Sequence, residues 1–131
     1  MRAIATRQDG SFKHDIAIGG HSVTADEPEE NGGTDSGPSP QELLAASLAS
    51  CTAITVEMYA KRKGWDVGDL QVDVDYEPAQ RGSPTKFDMK LRLPKELPED
   101  QRERLMQIAA KCPVHRTLEG EVMFEESIEL A

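Results

Sequence analysis

From Leu43 to Val56 the chain carries no charged side chain, and on both sides of that run the spacing of apolar and polar positions changes. Ser39 suits a helix N-cap, Pro40 the first helical position, and Glu42 the far end of a capping box. Lys61, Arg62 and Lys63 stand where a helix C-terminus favours cations, and Gly64 stands where a left-handed cap is needed. One long helix that contains Cys51 is therefore predicted. A helix apolar on every face must be covered on every face, yet the uncharged run is shorter than the roughly 20 residues a bilayer requires. It reads as the core helix of a soluble protein. Small side chains at Ala45, Ala46, Ser47, Ala49, Ser50 and Ala53 let another backbone approach, which predicts a helix-to-helix contact across a dimer.

Elsewhere the period is two. Leu70, Val72, Val74 and Tyr76 alternate with polar residues, as do Phe87, Met89, Leu91 and Leu93, so two half-buried strands follow the helix. Before it, residues 2–7 and 12–18 flank the turn chemistry of Gln8-Asp9-Gly10-Ser11 and predict a hairpin, with a third strand over His21–Ala25 after Gly19-Gly20. Asp26 to Ser39 is rich in breakers and acids and predicts a long loop of the kind that is usually functional or mobile. Pro94 and Pro98 end the fifth strand. Beyond them a second helix is expected, with Leu105, Ile108, Ala109 and Cys112 on one stripe and Pro113 stopping it; Val114 to Gly120 then turn the corner, and Val122, Phe124 and Ile128 belong to a closing strand. The predicted order is βββαββαβ. That is an α+β domain, a largely antiparallel sheet packed on a long central helix and a second helix, and residues 1–131 read as a single domain.

Composition narrows the function. A net charge of -9 with a pI near 4.8 argues against nucleic acid or an anionic membrane as a partner. The N-terminal residues lack a signal-peptide pattern, so a cytoplasmic location is expected, where thiols stay reduced. His14, His21 and His115 do not make a metal site by spacing, and the two cysteines, Cys51 and Cys112, form no CxxC pair. Both cysteines fall on inward helical stripes. They read either as a redox pair that meets inside the fold or as two small buried hydrophobes. A mid-helix thiol such as Cys51 has no free backbone N–H to hold a thiolate, so activation needs a cation from elsewhere. Trp65, just past Gly64, reads as a packing anchor.

Two motifs sharpen the choice. Gly37-Pro38-Ser39-Pro40-Gln41-Glu42-Leu43-Leu44 with Ala49-Ser50-Cys51-Thr52-Ala53-Ile54-Thr55, and later Lys111-Cys112-Pro113-Val114-His115-Arg116-Thr117-Leu118, resemble the OsmC/Ohr family of osmotically induced and organic-hydroperoxide-resistance proteins, nearest its YhfA-like branch. The resemblance spans nearly the whole chain. It implies an OsmC-like fold, an intertwined homodimer with the long helices at its centre, and sites at the subunit interface. It also implies that Cys51 is the peroxidatic cysteine and Cys112 the resolving one, passing through a sulfenic acid to a disulfide. Such chemistry consumes an organic hydroperoxide and a dithiol reductant and needs no metal or organic cofactor.

The chain departs from the pattern at one place. Where the hydroperoxide reductases of the family carry a glutamate paired with an N-terminal arginine, this sequence has Gln41, with Glu42 next to it. Glu42 points away from Cys51 and lies about 13 Å from it along the helix axis, so it reads first as the capping-box residue; as a catalytic candidate it would have to reach an arginine and Cys51 of the partner subunit. The activating cation is open between Arg7 in the hairpin and His115 or Arg116 beside the second cysteine. A non-catalytic protein on the same fold, binding a small apolar molecule or sensing redox state, is the alternative that Gln41 favours.

Overall fold

The computed structural model describes all 131 residues, which form two compact units, Met1–Ala46 and Ser47–Ala131. In the first unit, β1 (Ala3–Arg7), β2 (His14–Ile18) and β3 (His21–Ala25) make a three-stranded antiparallel meander, with Ala3 opposite Ile18 and Ile18 opposite His21. Gly19, at a φ of 57°, supplies the left-handed position of the two-residue turn between β2 and β3. The loop that follows is held from within. Asp26 is only 2% exposed, and its carboxylate accepts from the Glu27, Thr34 and Ser36 backbone N–H groups and from the Thr34 hydroxyl. Those donors hold the Asp26 carboxyl well below the usual carboxylate range: Ser36 N–H contributes most, burial opposes it, and the Thr34 hydroxyl adds to it. Gly37 packs so close to β3 that a Cβ there would come within 2.6 Å of the Thr24 carbonyl oxygen.

The long helix α1 runs over Pro40–Lys63, 24 residues. Both predicted ends are present. Ser39 N–H donates to Glu42 Oε1 and Glu42 N–H donates to Ser39 Oγ. At the other end Gly64 has a φ of 71°, and the Trp65 and Gly64 N–H groups donate back to Ala60 and Lys61, which is a Schellman closure. By length and composition α1 could cross a membrane. Its side chains show a different preference: Leu48, Thr52, Val56 and Ala60, four apart, are buried within the second unit, while Ser47, Ser50, Ile54 and Met58 lie on the other side and are exposed. Cover on every face was expected; this chain covers one stripe.

In the second unit β4 (Gln71–Glu77) and β5 (Lys86–Arg92) pair antiparallel, Gln71 opposite Arg92. The sheet is therefore two separate antiparallel sheets, of three and two strands, where one was expected. The core joins Val56 and Ala60 of α1 to Val67, Leu97, Leu105 and Ala109, with Tyr59, Trp65, Leu70, Leu91 and Leu93 packed around them. Trp65 meets Tyr59 edge to face at 5.7 Å, the anchoring role read from its position.

Three expectations change near the C-terminus. Helix α2 (Glu99–Ala109) ends before Cys112, so Cys112 does not lie on its stripe. Pro113 does not close a helix; it opens one, α3 (Pro113–Glu119), with Cys112 as the N-cap, the position at which a missing N–H costs nothing. The closing strand is absent. Residues 121–131 have no regular structure, and Val122, Phe124 and Ile128 are 54%, 81% and 90% exposed; the apolar spacing there is a strand's, but no strand edge of this chain pairs with it.

Candidate active site: the Cys51–Cys112 pair

The second unit brings together two thiols that lie far apart in sequence. Cys51 sits in the middle of α1 and is half-buried; Cys112 caps α3 and is fully buried; both are free. They approach to 3.0 Å. This contact has a simple origin. The stripe Leu48-Thr52-Val56-Ala60 seats α1 in its unit, which places Cys51 beside the buried edge, and the turn between Ala109 and Pro113 delivers Cys112 to it.

The surroundings of the two sulfurs differ. Cys112 Sγ accepts a hydrogen bond from His115 N–H at 3.3 Å. Thr52 Oγ1 is buried without a hydrogen-bond partner of ordinary geometry, and its hydroxyl acts on the Cys112 sulfur, favouring the thiolate. Burial opposes the Cys112 thiolate, but donation from Cys51, His115 N–H, Thr52 and Val114 N–H outweighs it and brings this thiol below the ordinary cysteine value. Cys51 goes the other way. Burial pushes its thiol up, Cys112 adds to that, and Val114 N–H and the Thr55 hydroxyl one turn on only partly oppose it. The asymmetry is what the helices dictate, since a mid-helix sulfur finds its backbone N–H groups already used whereas an N-cap finds them free.

The other sequence candidates divide. His115 and Arg116 lie on α3, within four residues of Cys112. The His115 ring is half-buried and its Nδ1 faces the Glu119 carboxylate, without a well-aligned hydrogen bond; Arg116 is exposed. Glu42 is occupied at the capping box, which holds its carboxyl below the usual value through the Ser39 N–H and hydroxyl. Arg7 donates from Nε to the Ser11 carbonyl and from its terminal nitrogen to the Gly10 carbonyl, so its guanidinium closes the β1–β2 turn. The sequence reading missed Thr52 and Thr55. A signal for Thr52 was present, a threonine at the four-residue spacing of the buried stripe.

The family model described as OsmC-like protein matches residues 33–127. No curated protein sequence matches the chain. Among solved structures, the OsmC-like protein from Mycoplasma pneumoniae has a TM-score of 0.76 at 20% identity, covering 91% of this chain and 86% of that one. An organic hydroperoxide resistance protein OsmC from Legionella pneumophila has a TM-score of 0.62 at 21% identity, covering 92% and 90%. The organic hydroperoxide resistance protein OhrB of Bacillus subtilis has a TM-score of 0.59 at 21% identity, covering 92% of each chain. With its α+β fold and a family match over most of its length, the chain belongs to the OsmC-like protein family.

Proposed function

We propose that this protein is a cytoplasmic thiol-dependent peroxidase that reduces organic hydroperoxides, with Cys51 as the attacking thiol, Cys112 as the resolving one, and His115 and Arg116 lining the approach. The observation that carries the reading is the pair itself: two free thiols 3.0 Å apart, the one half-buried and reachable, the other buried behind it. A sulfenic acid formed on Cys51 would have its resolving partner already in contact, which is what a two-cysteine peroxidase requires. Related structures named organic hydroperoxide resistance proteins support the substrate class.

We read the active form as a homodimer and the chain as a single domain, because α1 runs unbroken from the first unit into the second and leaves Ile54 and Met58 54% and 64% exposed. An apolar face of that kind on a central helix calls for a second copy. Steady-state consumption of an organic hydroperoxide in the presence of a dithiol reductant tests the activity. Turnover that is lost in Cys51→Ser supports it; no turnover above the thiol-free background refutes it.

One observation favours a second reading. A mainly apolar pocket of about 560 Å³ on the first unit, lined by Ala5, Phe12, His14, Ile16, Ala25 and Pro40 together with Asp26 and Glu27, suits a small apolar ligand, and a binding protein that kept its thiols would use it. Saturable binding of an apolar probe with no peroxide turnover identifies that case.

A further inference from the structure

We infer that the Cys51–Cys112 pair works with one shared proton, the negative charge resting on the buried Cys112 sulfur, and that Cys112 is the base that takes the proton from Cys51 when a hydroperoxide reaches the site. The first half stands on geometry within one unit; the second half rests on the peroxidase reading above.

Besides the Val114 N–H that it shares with Cys51, three donors converge on Cys112. The N-cap geometry aims the His115 N–H at its sulfur. Thr52, with no exposed surface, has a hydroxyl whose proton finds no other acceptor of good geometry. Cys51 is in contact at 3.0 Å and, if protonated, donates its S–H. A buried hydroxyl left unpaired is costly, and a charged acceptor at this position removes that cost. The titratable and charged groups on the adjoining helix α3 are the His115 ring and the Glu119 carboxylate, which face each other, and Arg116, which is exposed. Cys51, by contrast, has the Thr55 hydroxyl and a share of Val114 N–H.

The arrangement supplies an activation route that involves neither Gln41 nor a borrowed cation. The proton moves from Cys51 Sγ to Cys112 Sγ. The Cys51 thiolate attacks the terminal oxygen of the hydroperoxide, so that an S–O bond forms and the O–O bond breaks; the departing alkoxide takes the O–H proton of the new sulfenic acid and leaves as the alcohol, and the sulfenate oxygen on Cys51 takes the proton from Cys112. Cys51 is now a sulfenic acid and Cys112 is again a thiolate. Its sulfur attacks the Cys51 sulfur, the S–O bond breaks, hydroxide leaves, and the disulfide holds the two electrons' worth of oxidation taken from the peroxide. The base is regenerated at the step where a nucleophile is needed.

Thr52 is a positioning residue in this scheme, and thiolate absorbance of the reduced protein against pH tests it. The wild type is expected to show one thiol titrating below the ordinary cysteine range and one above. Cys51→Ser should keep the lower titration and Cys112→Ser should lose it. Thr52→Val should raise the lower midpoint by about one unit, a roughly tenfold weaker acid, and Thr52→Ser should restore it. A low titration that survives in Cys112→Ser, or none in the wild type, overturns the charge placement whether or not the protein folds as its Thr52 variants do. A low titration assigned to Cys112 with no peroxide consumption would instead refute the peroxidase reading and with it the base role, leaving the charge where we place it.

Discussion

Ser39 and Glu42 satisfy each other: the Ser39 N–H donates to Glu42 Oε1 at 2.9 Å and the Glu42 N–H to Ser39 Oγ at 3.2 Å. This reciprocal pair fixes where α1 begins and gives Glu42 an occupation unrelated to the thiols. Glu42→Gln can still close the box, so its urea midpoint is expected to match the wild type, with peroxide reactivity unchanged. Glu42→Ala should lower the midpoint. A large loss of peroxide reactivity in Glu42→Gln, measured by stopped flow, would mean that the carboxylate acts at the thiol site after all.

Asp26 organises the loop before α1, and its folded-state carboxyl is held below the usual range by Ser36, Thr34 and Glu27. A depressed carboxyl contributes stability above its unfolded pKa, near 3.9, and that contribution fades as pH falls through the lower folded value. Asp26→Asn should therefore be less stable than the wild type at neutral pH, and the gap should narrow steadily in acid below about pH 4. Urea midpoints measured from neutral pH downward check this; a gap that stays constant would show that the negative charge on Asp26 contributes nothing.

What could be read from the sequence was what local chemistry writes down. The ends of α1 were legible because Ser39, Pro40, Glu42 and Gly64 each satisfy a backbone group within a few residues. The strands were legible because their period is two. Cys112 was misplaced because Pro113 has two meanings, a stop and a start, and only the His115 N–H turned toward the Cys112 sulfur decides between them. The segment after Gly120 was misread for the opposite reason. Its spacing of Val122, Phe124 and Ile128 is that of a strand, but a strand exists only where an edge pairs with it. The spacing of the two cysteines named the pair without ranking it, and their order came from the family resemblance alone, since the donors that distinguish the two sulfurs come from Thr52 and from the backbone of α3.

The exposed stripe of α1 predicts how the protein associates. Ile54 and Met58 lie opposite the buried residues of the helix and are more than half exposed. If a second copy covers them, the double substitution Ile54→Glu with Met58→Glu should convert a dimer to a monomer and weaken association by at least about a hundredfold, near 2.7 kcal/mol, while each chain keeps its helical content. Sedimentation at micromolar concentration reads the outcome. A wild type that is already a folded monomer there would remove the dimer from the reading.

The contact between Cys51 and Cys112 predicts the products of oxidation. The two residues are 3.0 Å apart within one chain, and a disulfide needs its sulfurs at about 2.05 Å, so a shift of roughly 1 Å closes the bond. One equivalent of hydroperoxide should therefore yield a disulfide inside each chain, seen as unchanged mobility without reductant and a mass lower by two hydrogens. Cys112→Ser removes both the resolving sulfur and the base proposed above. Its Cys51 should oxidise at least about tenfold more slowly, a barrier higher by some 1.4 kcal/mol, and should stop at the sulfenic acid, which a carbon nucleophile can trap. Cys51→Ser leaves only the buried sulfur, and trapping there should be slower still because the peroxide must reach a residue with no exposed surface. The order of the two roles follows from exposure, not from acidity: the more acidic thiol is the one the oxidant does not reach. Faster trapping at Cys112 than at Cys51, or disulfides that form only between chains, would reverse that order or dissolve the pair.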